Sequence, residues 1–158
     1  MTMADDQRVE GILREAIQGE IESYELYTGL AERVTAPQIK DALCELAQEE
    51  LGHKALLEKM LTNPGQVRLQ IRKIEAEAVQ DAGVGDHLIV EPLKADATFQ
   101  DVCIFASQKE QQSYELYHRL AEQNSGEIQA LFTAMAKDEL RHKDLVERWY
   151  EEDIYQDN

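Results

Sequence analysis

Glu50 and His53 stand three residues apart, as do Glu139 and His142, and each pair has a solitary glutamate upstream, Glu20 and Glu110. Residues three apart share a helix face. On helices, each Glu-x-x-His can therefore aim a carboxylate and an imidazole at one point. Four carboxylates turned into an apolar interior would repel one another and lose their hydration. Two divalent cations would neutralise them. Carboxylate oxygen with imidazole nitrogen, and no thiolate, suits iron or manganese, with zinc also compatible. A glutamate from each of two helices, with Glu-x-x-His from two others, is the ligand pattern of di-metal carboxylate bundles. One Glu-x-x-His is weak evidence, because helix surfaces are rich in glutamate. Two of them, each accompanied by a glutamate set in an apolar stripe, are specific.

The elements that must carry these residues come from an internal repeat. Ser23-Tyr24-Glu25-Leu26-Tyr27 recurs 90 positions later as Ser113-Tyr114-Glu115-Leu116-Tyr117, and Leu30-Ala31-Glu32 recurs as Leu120-Ala121-Glu122. Ala47 to Lys54 parallels Ala136 to Lys143 at an offset of 89. Each half predicts two helices. The first runs from about Asp6 to Val34, where apolar residues keep the helical period without a proline. Thr35 is the expected N-cap of the second, with Pro37 in its first turn and Asn63-Pro64-Gly65 ending it after Leu61. The third spans about Thr98 to Gln123, and Asn124-Ser125-Gly126 turns the chain into a fourth, from about Glu127 to Tyr150. Short links favour antiparallel hairpins. Val67 to Asp81 reads as an extra helix, broken by Ala82-Gly83-Val84-Gly85, with Leu88-Ile89-Val90 as a short apolar plug. The expectation is one all-α domain over 1–158: hairpin 6–61, crossover 62–97, hairpin 98–150 and a short tail. One long crossover between the second and third helices makes this a ferritin-like antiparallel four-helix bundle.

Composition excludes several other classes. The 158 residues are 43% hydrophobic and 30% charged, as in a globular domain with a sizeable core. Thirty-two acidic against 16 basic residues give a formal charge of −16, which argues against nucleic acid as a partner. No segment reaches the roughly 20 apolar residues of a membrane span, and the polar start, Met1 to Arg8, does not read as a secretory signal. Cys44 and Cys103 make neither a disulfide framework nor a Cys-x-x-Cys. A cytoplasmic location is the expectation, and a rubredoxin-type module is absent from this sequence.

With these residues in place, the sequence resembles the ferritin-like superfamily and, within it, the rubrerythrin-like proteins, over nearly all but the crossover. The resemblance implies that Glu20, Glu50, His53, Glu110, Glu139 and His142 hold two iron ions. Glu50 and Glu139 would bridge them, and Glu20 and Glu110 would be terminal ligands. Asp138-Glu139-Leu140-Arg141-His142 also resembles the wider di-iron oxygenase motif. That likeness makes Asp138 an acceptor for His53 and Glu49 one for His142; ligating imidazoles usually donate their other N–H to such a group. Gly52 departs from the motif where the second half has Arg141. Tyr27 and Tyr117, seven residues after the lone glutamates, either bond the ligating carboxylates, as their counterparts do in the family, or are core tyrosines satisfied elsewhere. Ser113 stands where rubrerythrins carry a further carboxylate, so the peroxidase cycle in which iron moves between ligands is not expected unchanged.

The remaining candidates read as structural. Cys103 is inward but about 10.5 Å along the axis from Glu110, which suits a core cysteine. Cys44 reads as structural too, His118 and His87 as surface residues, and Trp149 and the methionines as packing. The implied function is two-electron reduction of peroxide or dioxygen, with electrons from a separate donor. The rivals are iron oxidation and storage, which needs a cage; a di-iron hydroxylase, which needs a substrate cavity; and a bundle that keeps metal for stability alone. A homodimer is expected, with a hairpin swap as one way to build it.

Overall fold

The computed structural model describes residues 3–69 and 93–156 and holds no strand among them. Its long helices are α1 (Met3–Arg33), α2 (Pro37–Leu61), α3 (Phe99–Gln123) and α4 (Gly126–Gln156), with a 3-10 turn at Pro64–Gln66. The fold is all-α, in two compact units, Met1–Val67 and Arg68–Asn158. In the first, α1 and α2 pack as a hairpin on a link of residues 34–36; in the second, α3 and α4 do so across Asn124 and Ser125. Links this short turn the chain back on itself.

Helix packing follows the repeat closely. The buried residues of α2 are Leu43, Leu46, Ala47, Glu50, His53, Leu57 and Met60. Those of α4 include Phe132, Met135, Ala136, Glu139, His142, Val146 and Trp149, the same seven positions shifted by 89. The buried stripe of α1 holds Val9, Leu13, Ala16, Glu20, Ser23, Tyr27 and Leu30 at alternating steps of four and three. That is the period of a helix seam facing one neighbour. Each fully buried Leu, Met or Phe contributes about 1.5–3 kcal/mol. The stripes are therefore strong enough to carry a few polar residues at their middles.

The helix ends differ from expectation in instructive ways. Ala36, not Thr35, occupies the N-cap of α2, extended at φ −68°, ψ 116° and with no side-chain cap bond. Pro37 sets this, since a residue preceding proline is driven out of the helical region. α1 begins at Met3 rather than near Asp6, and α4 runs on to Gln156 rather than stopping near Tyr150. That extension begins with three acidic residues in a row, of which Glu151 and Glu152 are exposed. Gly126 opens α4 at φ 65°, a left-handed conformation that favours glycine. The helix expected from Val67 does not start there: Val67 to Leu69 are not helical, and the rest of it, with Leu88-Ile89-Val90 and His87, lies outside the described residues.

α3 starts one residue later than expected because Thr98 caps it. The Thr98 hydroxyl accepts the Asp101 N–H at 3.1 Å, and the Asp101 carboxylate accepts the Thr98 N–H at 2.9 Å. These two bonds form a reciprocal capping box. The Thr98 backbone N–H, then its hydroxyl, hold the Asp101 carboxyl below its ordinary 3.8. Its folded pKa is depressed, so its contribution is complete above about 3.8 and is lost as pH falls through the folded value. Thr98→Ala is expected to lower stability by about 1 kcal/mol in urea unfolding at neutral pH. The difference from wild type should shrink in acid below that range.

Candidate metal centre

Each hairpin carries one half of the constellation. In the first unit, Glu20 comes from the middle of α1, and Glu50 and His53 from one face of α2. His53 Nδ1 lies 3.5 Å from Glu20 Oε1. One donor atom from each of Glu20, Glu50 and His53 can be chosen so that all lie within 4.8 Å of one another. In the second unit, Glu110 comes from α3, and Glu139 and His142 from α4. His142 Nδ1 lies 3.5 Å from Glu110 Oε1, and the three again offer donors within 4.8 Å. The matching distances extend the repeat from sequence to side-chain geometry.

All six side chains are buried, from 0% exposure at His142 to 4% at His53. Both oxygens of Glu50, one each of Glu20, Glu110 and Glu139, and Nδ1 of both histidines have no appreciable access to solvent. Glutamate is almost never this buried without a compensating partner. The donor set is hard carboxylate oxygen with borderline imidazole nitrogen, and no cysteine is among the grouped donors. That set fits a divalent transition metal, with charge for charge in balance: four carboxylates for two dications. The residues present therefore fit the group that the sequence implies.

The other candidates lie on the same four helices. Tyr27 and Tyr117 are both 1% exposed, and Tyr117 stacks on Phe132 with ring centroids 6.2 Å apart. Asp138 is half-buried on α4, with Arg141 4.0 Å away. Glu49 is half-buried. Gly52 faces open space, where a Cβ would meet nothing within 4 Å.

Cys103 is buried in the core as expected, and burial, then the charge of Asp153, push its thiol up to about 12. A thiol so raised stays protonated and unreactive at neutral pH. Cys44 corrects its expected structural role: it is exposed on α2, where it packs against no core. His118 is on the surface beside Glu122 at 3.2 Å. Ser23 is buried one turn beyond Glu20, while its repeat partner Ser113 is half-buried.

Asn124 is the residue that the sequence did not single out. It reads there as a turn former, yet it is a buried polar side chain, 7% exposed, bonded to Arg68. Nothing in the local sequence marks a contact spanning 56 positions.

The family model described as Rubrerythrin matches residues 11–91 and 101–157. Among solved structures, the chain is similar to a hypothetical protein from Pyrococcus furiosus. The two share 26% identity with a TM-score of 0.64, over 90% of this chain and 88% of that one. No curated protein matches the sequence.

Proposed function

Because the chain belongs to the rubrerythrin family, we propose that its two half-sites jointly hold a pair of iron ions and reduce peroxide or dioxygen. One observation carries this reading. Glu20, Glu50 and His53 on one hairpin, and Glu110, Glu139 and His142 on the other, form two buried triads of the same chemistry and spacing. When bound and reduced, two adjacent iron ions supply one electron each to an O–O bond. Manganese or zinc would satisfy the same donors, but zinc would not supply those electrons.

The chain's own residues set the conditions for that chemistry. Four carboxylates balance two dications, and two neutral imidazoles complete the donor set without adding charge. Glu50 and Glu139, each paired with a histidine one turn on, would be the ligands common to both ions, and Glu20 and Glu110 would each hold one. Six donors would leave coordination positions open, where a structural site would close them. Asp138 would orient His53 and Glu49 would orient His142, each accepting an imidazole N–H. Tyr27 and Tyr117, buried a heptad beyond the lone glutamates, would donate their hydroxyls to ligating carboxylates. The apolar residues flanking each triad along its stripe keep bulk water away, which strengthens every charge interaction inside.

Reduction of hydrogen peroxide to two waters consumes two electrons and two protons, so a separate reductant must return the electrons. No described helix is long and apolar enough to cross a membrane. We place the protein in the cytoplasm, acting as a homodimer.

The test is stopped-flow mixing of the anaerobically iron-loaded protein with peroxide. The loaded protein should be oxidised, and should consume peroxide faster than the metal-free protein. A spectrum unchanged by both peroxide and dioxygen would sink the redox reading and leave a metal held for stability.

A further inference from the structure

The buried stripe of α3 is interrupted at one residue. Cys103, Ala106, Glu110, Tyr117 and Leu120 are each 0–1% exposed. Ser113 stands among them in the same helical phase, three residues after Glu110 and four before Tyr117, yet it is half-buried. In α1 the stripe stays closed at the matching place: Ser23, the repeat partner of Ser113, is 3% exposed between Glu20 and Tyr27. Solvent thus reaches the α3 stripe at Ser113 and is kept from the α1 stripe at Ser23. A position in apolar phase is normally covered; in the second unit the cover is lost beside a hydroxyl.

Contacts between α3 and α4 set Ser113 against the proposed ligands of its own unit. Ser107 Oγ donates to Glu147 Oε1 at 2.8 Å, and Glu110 Oε1 lies 3.5 Å from His142 Nδ1. Partner numbers fall on α4 as they rise on α3, as an antiparallel pair requires. One turn beyond Glu110, about 4.5 Å along the axis, the same register brings Ser113 level with Glu139. Glu110, Glu139 and His142 are themselves 0–1% exposed. On this stripe, therefore, water and the proposed ligands come within one turn of each other at Ser113. Its side chain is small, and its hydroxyl both donates and accepts hydrogen bonds. Hydrogen peroxide also does both, whereas dioxygen has no O–H to donate.

We propose that Ser113 is the point where oxidant enters the second half-site, and that its hydroxyl binds hydrogen peroxide there. This rests on the reading that the buried carboxylates and imidazoles hold metal ions that react with peroxide. The small side chain leaves room for a molecule little larger than water. The hydroxyl exchanges a hydrogen bond with water for one with the incoming peroxide, so the exchange costs little. No bond is made or broken at Ser113; it holds the substrate beside Glu139. Dioxygen passes the same opening but gains little from the hydroxyl. Removing the hydroxyl should therefore separate the two oxidants, while filling the opening should hinder both.

The experiment has two arms, both on the full chain. The first uses metal-free protein in a Cys44→Ser background, which removes the exposed native thiol. Ser113→Cys and Ser23→Cys are each treated with methyl methanethiosulfonate, and modification is followed by mass spectrometry. The thiol at 113 should react at least about tenfold faster, because the two positions match in the repeat and differ in access. Equal rates would overturn the entry point whatever the metal does. The second arm mixes ferrous-loaded protein with peroxide or with dioxygen in stopped flow. Ser113→Ala should lower the second-order rate constant for peroxide by about two- to tenfold, the worth of one neutral hydrogen bond, and that for dioxygen by clearly less. Ser113→Val should lower both, and Ser23→Ala should match wild type. Calorimetric iron affinity should be the same in Ser113→Ala as in wild type, since no proposed ligand is altered. If Ser113→Val loses helicity by circular dichroism, Ser113→Ala decides. A Ser113→Ala that slows both oxidants equally, or neither, sinks only the role of Ser113. A wild type oxidised by neither peroxide nor dioxygen sinks the redox reading and this role together.

Discussion

Glu139→Ala will leave a folded protein that no longer holds two metal ions, and Glu50→Ala will do the same. Each removes a carboxylate that is 1% exposed and that shares a helix face with a histidine. Losing a partner of a ligand typically costs about 10–100-fold in metal affinity; losing a proposed bridge should exceed that, because both ions feel it. Calorimetric titration with ferrous iron measures the loss directly. Helicity should survive, because seven-position stripes of largely apolar residues hold α2 and α4 in their hairpins. An Ala variant that still binds two ions with wild-type affinity would remove that glutamate from the site.

Stripping the metal should lower thermal stability by an amount that the ligands themselves explain. A ligand present at 100 times its dissociation constant stabilises the folded state by about 2.7 kcal/mol. For a chain of this length each kcal/mol is worth about 2–4 °C, so chelation should lower the midpoint by roughly 5–10 °C. The cause is the set of four carboxylates kept away from water, which must either pair or lose charge when the cations leave. Glu139→Leu separates this cause from general damage. It should bring no gain in stability from added iron, while its metal-free form unfolds no lower than metal-free wild type, because an apolar side chain of similar volume has replaced a buried charge. Differential scanning calorimetry with and without chelator reads both effects. A metal-free Glu139→Leu that unfolds well below metal-free wild type would show that the carboxylate is satisfied by the protein alone.

The parts of this molecule that the sequence reveals are those written in periodicity. The stripe of α4 repeats that of α2 at all seven positions, although Leu43 gives way to Phe132 and Met60 to Trp149. Burial is set by helical phase, and phase survives substitution. Glu20 and Glu110 were visible as candidate ligands for the same reason: each sits in phase with apolar neighbours. What the sequence hid depends on contacts rather than period. Cys44 is exposed on α2 in spite of its apolar character, because phase and not residue type decided its side. Thr98 reads from the sequence as the first residue of α3, yet it is the cap, since its bond to Asp101 is made by geometry at one turn. The α4 extension past Tyr150 opens on Glu151, Glu152 and Asp153, an acidic run that interrupts the hydrophobic pattern. Asn124 is the clearest case. Asparagine before Ser125-Gly126 has an ordinary role as a turn former, and only the fold shows that its amide reaches Arg68.

Under the proposed function, the two matched half-sites, one per hairpin, together hold two metal ions. Anaerobic titration of the metal-free chain with ferrous iron, followed by direct metal analysis of the isolated complex, tests it most directly. The expected end point is two ions per chain, bound cooperatively enough that His53→Ala and His142→Ala each weaken uptake of both. An end point of no bound iron, or two ions of which each histidine substitution removes only its own, would contradict it.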